Sequence, residues 1–120
     1  MKYMLLIYNN PATLAALSEQ EREEVMTSVD SILEELTASG ELVGGDALAG
    51  PELTRTVRVR DGVPVTTDGP FAEAKEQLAG YVMVDCATPE RAAEIAARWP
   101  DARYGAMEVR AVVGSVEGDR

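Results

Sequence analysis

The side chains best suited to chemistry are concentrated between Thr67 and Tyr81, where Asp68-Gly69-Pro70-Phe71 leads into Ala72-Glu73-Ala74-Lys75-Glu76-Gln77-Leu78-Ala79-Gly80-Tyr81. Asp-Gly-Pro reverses a chain: glycine and proline fix the turn, and the aspartate carboxylate is placed to accept backbone N–H groups. Phe71, the one phenylalanine of the chain, is expected to anchor this turn to the core. Glu73, Lys75 and Glu76 then fall on a short turn or helix beside a strand beginning at Gly80. The stretch reads either as a turn carrying solvated charges or as a binding loop in which Asp68, Lys75 and Tyr81 meet a ligand.

A second constellation follows from strand alternation. If Val82, Val84 and Cys86 face the core, then Tyr81, Met83 and Asp85 face the other way. On the last strand Met107, Val109 and Ala111 face the core and leave Glu108 and Arg110 outside. Flanking a common central strand, these two strands lie about 10 Å apart, a gap that a long arginine and a carboxylate can close. Asp85 is therefore the candidate catalytic carboxylate and Arg110 its partner, or the two are an ion pair with no further role.

What is missing excludes more. The chain has no histidine, so Ser-His-Asp and Cys-His catalysis and histidine-containing zinc sites are ruled out. One cysteine, Cys86, allows no disulfide within the chain and suggests a reducing, cytoplasmic setting. No GxxxxGK or GxGxxG and no calcium-loop spacing occurs, so no cofactor and no metal is expected. A net charge of -10 makes nucleic acid an improbable partner. No apolar run is long enough to span a membrane.

The elements that must carry these residues are legible in outline. KYMLLIY (2–8) reads as a buried strand closed by Asn9-Asn10-Pro11. Ser18 and Glu21 form a capping-box pattern, Val25, Val29, Ile32, Leu33 and Leu36 follow at helical spacing, and Gly40 ends the helix. Residues 1–53 carry two basic and ten acidic side chains, most of them on this helix, against nine and eleven in 54–120. A short strand near 42–48 precedes a hairpin whose Asp61-Gly62 turn sets Arg60 opposite Val63 and Arg58 opposite Val65. The strand over 80–86 runs to Thr88-Pro89, which opens a second helix carrying Ala92, Ile95, Ala96 and Trp99 and stopped by Pro100. The last strand lies in 106–113. One domain over 1–114 and a frayed tail of 115–120 are expected.

This order, strand-helix-strand, hairpin, strand-helix-strand, is βαββαβ with an inserted β-hairpin. It implies an α+β ferredoxin-like sandwich. Two helices cover one sheet face only, yet the first strand is apolar on both sides, with Met4, Leu6 and Tyr8 opposite Tyr3, Leu5 and Ile7. A second copy packed sheet to sheet, a homodimer, is the economical cover.

The Asp68-Gly69-Pro70-Phe71 block, the opening MKYMLLIY and the Val59-Arg60-Asp61-Gly62 before the block resemble the YCII-related proteins, and among them the subgroup named for its DGPF motif. The resemblance spans nearly the whole chain and implies a dimeric α/β barrel with no assigned reaction. It also implies neighbourhood to extracytoplasmic-function sigma factors, and for one branch the dehydrochlorination of chlorinated aromatics. Two departures stand out. The wider family's His-Asp pair has no histidine here, and Tyr104 of Arg103-Tyr104-Gly105 stands where many relatives read His. A phenol titrating near pH 10 is a poor neutral base.

Two functions follow as expectations. One is a small apolar or aromatic molecule bound in the dimer's barrel cleft, with Asp85 catalytic and Asp68, Lys75, Tyr81, Tyr104 and Arg110 binding; any reaction there is lyase- or isomerase-like and runs without histidine. The other is a regulatory module whose acidic helix meets a sigma-factor partner.

Overall fold

In the computed structural model, which describes residues 1–72 and 74–118, the apolar opening run forms strand β1 (Lys2–Asn9). Asn10 then caps a short helix α1 (Pro11–Ala15): its side chain accepts from the Ala12 N–H, and Pro11 supplies a first residue that needs no donor. The expected capping box is present at α2 (Glu19–Ser39), with Ser18 accepting from the Glu21 N–H and Glu21 accepting from the Ser18 N–H. Gly40 ends this helix in the left-handed conformation at φ 78°.

Strand β2 (Leu42–Ala47) and a 3-10 turn at Pro51–Leu53 lead into the hairpin of β3 (Arg55–Arg60) and β4 (Val63–Asp68). Its register pairs Arg60 with Val63 and Arg58 with Val65, as the Asp-Gly turn requires. Strand β5 (Gln77–Asp85) starts three residues earlier than the sequence suggests. Thr88 caps α3 (Pro89–Arg98), and the chain past Pro100 makes one further turn, α4 (Asp101–Tyr104), before β6 (Ala106–Ala111).

The main sheet has the order β2-β5-β1-β6 with every neighbouring pair antiparallel, a mixed α+β arrangement consistent with a ferredoxin-like fold. Both helical elements of length lie on one side of it. Tyr3 and Leu5 of β1, Val82 and Val84 of β5 and Cys86 just past it meet Ile32 and Leu36 of α2, Ala92, Ile95 and Ala96 of α3, and Trp99. This is the core, and each of these residues is nearly or wholly removed from water. A bidentate pair clamps its edge: Arg91 of α3 donates to Glu41, just past α2, at 3.0 and 2.8 Å.

The hairpin stands apart as its own two-stranded sheet. Val57, Val59, Val63 and Val65 are all exposed on it. The radius of gyration is 16.4 Å, against about 14 Å for a compact chain of this length. Phe71 is corrected by the same geometry. It does not anchor the turn to the core but is 74% exposed, with the Arg58 guanidinium 4.5 Å above its ring. Lys75 and Glu76 lie in bends and not in a helix; Glu73 is outside the described residues. Of the expected tail, 115–118 form no helix or strand and 119–120 are outside the described residues. No helix is long and apolar enough to cross a membrane among the described residues.

Candidate functional site

The sheet face away from α2 and α3 carries no long helix among the described residues, and the strand registers dictate what it displays. Across the four strands one row reads Asp46, Tyr81, Leu6, Glu108. The next reads Gly44, Met83, Met4, Arg110. A third sets Leu78 beside Tyr8 and Tyr8 beside Ala106. The face is thus an apolar floor of Met4, Leu6, Leu78 and Met83, crossed by two phenols and ringed by carboxylates and one guanidinium.

The polar groups interact in two clusters. Tyr81 donates its hydroxyl hydrogen to Asp46 Oδ2, and this bond, with the negative charge behind it, raises the phenol above its ordinary pKa. Tyr8 is raised likewise, first by its hydroxyl's interaction with Glu108, then by burial and by the Glu108 charge, while Arg110 works in the opposite direction. Both phenols therefore keep their protons at neutral pH and serve as donors, and Arg110 is the cation that can meet an anionic group. The arrangement is suited to binding and orienting a molecule that is largely apolar with an acceptor or acid at one end.

The expected partnership of Asp85 and Arg110 is not made. Both lie on this face, as alternation requires, but Arg110 sits in the row of Met4 while Asp85 is one row further along, opposite Lys2. Asp85 instead accepts from the Met1 amine at 2.9 Å, and its side chain is 52% exposed. Tyr81 and Arg110 are brought to the same face; Asp68 and Lys75 are not. Asp68 ends β4 opposite Arg55, and Lys75 is exposed on the segment before β5. Tyr104 is half-buried on α4 with the Arg103 guanidinium 5.6 Å from its ring centre.

Three residues of the site escaped the sequence reading as site residues: Tyr8, Asp46 and Glu108. Tyr8 and Glu108 were accessible by period-two alternation. Asp46 was not, because a register irregularity between Leu42 and Gly44 breaks the alternation of β2. The Asp-Gly-Pro-Phe segment does reach the neighbourhood of the face. Pro70, Phe71, Ala72 and Gln77 form one wall of a cavity of about 640 Å³ whose other walls are Leu48, Pro51, Leu78 and Tyr8. Gln77 holds that wall together by donating to the Ala74 carbonyl at 2.7 Å.

Comparison with known proteins adds family but no activity. An uncharacterised protein of Rhizobium meliloti (strain 1021), R00369, is 34% identical over 112 residues, covering 92% of this chain and 90% of that one. Residues 1–115 match the YCII-related domain. By that span and that identity, the chain belongs to the YCII-related domain family.

Proposed function

We propose that two copies of this chain pack their uncovered sheet faces together and that the resulting cleft binds a small apolar or aromatic molecule. The observation that carries this reading is the open face itself: an apolar floor across the two central strands β1 and β5, with Tyr8, Glu108, Arg110, Tyr81 and Asp46 on and around it. Sheets pack about 10 Å apart, so the side chains of a facing copy cover the floor while its polar residues leave room for a ligand between them. Asp85 and Arg110 supply charge toward one end of the cleft. The wall of Pro70, Phe71, Ala72 and Gln77 flanks the other, which suits the DGPF subgroup, while Asp68 and Lys75 lie outside that wall and would take part only through the movement of this segment toward a ligand. Tyr104 takes a lesser part. Any reaction would be of a lyase or isomerase kind, with a carboxylate in place of histidine.

The test is a thermal-shift screen against small aromatic compounds, acids among them. A ligand at about one hundred times its dissociation constant adds roughly 2.7 kcal/mol and several degrees. A shift that vanishes in Arg110→Ala supports the cleft; a flat panel from a cooperatively melting protein overturns it. A second reading, a docking module for a sigma factor or similar basic partner, is supported by the exposed acidic side chains Glu19, Glu21, Glu23, Glu24 and Asp30 along α2.

A further inference from the structure

On the other side of the sheet, part of the space between α2 and the strands is not filled. Leu36 and Ile32, toward the helix's C-terminal end, are fully or nearly fully buried, whereas Leu33, Val29 and Val25 are only half-buried. Leu33 and Val29 are half-buried because they face a cavity. That cavity measures about 530 Å³, within the size range of small-molecule sites. Val29 and Leu33 form its roof and Ile7 and Val82 its floor, with Trp99 lining it as well.

The lining is apolar except at a few positions. Asn9 and Asp101 lie against one another there, Asn9 Nδ2 donating to Asp101 Oδ2 at 3.1 Å. Asp46 also reaches the rim, but its carboxylate is already engaged by the Tyr81 hydroxyl. No lysine or arginine lines the cavity among the described residues, so nothing there neutralises Asp101. A carboxylate at the edge of an apolar cavity, in a chain of net charge -10, favours a cation and disfavours an anion.

We propose that this cavity is a binding site for a protonated amine carried on an apolar body, the ammonium meeting Asp101 and the body lying between Val29, Leu33 and Trp99. The site is on the helix side of the sheet and does not depend on the dimer cleft. An apolar body gains from the removal of these walls from water, and the ammonium gains a charge-assisted hydrogen bond to a carboxylate that keeps Asn9 as its other partner.

Trp99 is the single tryptophan of the chain, so its emission under selective excitation reports on the cavity directly. Titration of the intact protein with phenethylamine is expected to change that emission saturably, and hydrocinnamate, the same ring with a carboxylate in place of the amine, to bind about tenfold more weakly or not at all. Asp101→Asn, which still offers Asn9 an acceptor, should abolish the preference for the amine, and Val29→Phe, which fills the cavity, should abolish both responses. Where Asp101→Asn does not fold, the wild-type comparison and Val29→Phe decide. The proposal is overturned if hydrocinnamate binds as well as phenethylamine, if the folded Asp101→Asn keeps the preference, or if no saturable change occurs. It is also overturned if the emission instead follows protein concentration without amine, which would mean that a second copy fills the cavity.

Discussion

Among the carboxylates of the described residues, Glu41 is the one whose pKa is displaced furthest, to about 2. Arg91 holds it by two hydrogen bonds and Ser39 donates a third at 2.8 Å; together they bring its carboxyl from an ordinary 4.5 down to about 2. Because the folded pKa lies below the unfolded one, the stabilisation is complete above about pH 4.5 and drains away as pH falls toward 2. Arg91 is 37% exposed, so water screens the pair. Glu41→Gln is expected to cost about 1–2 kcal/mol at neutral pH, less than the displaced pKa alone would suggest. Urea melts at pH 7 and pH 3 check this: the gap between wild type and variant should be smaller in acid. At the same scale, Asp85 and Arg110 show what a sequence leaves open. Alternation places both on one face correctly, but the row each occupies depends on pairing with β1, and no local pattern encodes that offset.

At the scale of elements, sequence signals succeeded where a local cause was sufficient. Ser18, Glu21 and Gly40 bound α2 because caps act within a turn, and Asp61-Gly62 sets the hairpin register because a two-residue loop leaves no choice. The signal for α1, an Asn followed by Pro, was also there in Asn10-Pro11 but reads equally as a strand terminator. Phe71 defeated the reading for a different reason: apolar character predicts burial only where a core is at hand, and the hairpin projects beyond it. Gly40 offers a clean test of the capping account. A Cβ there meets nothing, so the whole cost of Gly40→Ala is its φ of 78°, about 1–2 kcal/mol and several degrees of melting temperature. An unchanged melting temperature would mean the helix end relaxes freely.

At the scale of the molecule, two features stand out. The sheet face carrying Met4, Leu6 and Met83 has no long helix over it among the described residues, and the hairpin exposes four valines on strands that a two-stranded ribbon hardly stabilises alone. The proposed second copy, set sheet against sheet, would cover the first. The most direct measurement is the solution mass by light scattering of the wild-type chain and of Leu6→Glu, which places a charge in the middle of the open face. The account predicts twice the chain mass of 12.9 kDa for the wild type, and a monomer that still melts cooperatively for Leu6→Glu. A wild-type mass of 12.9 kDa at micromolar concentration would contradict it.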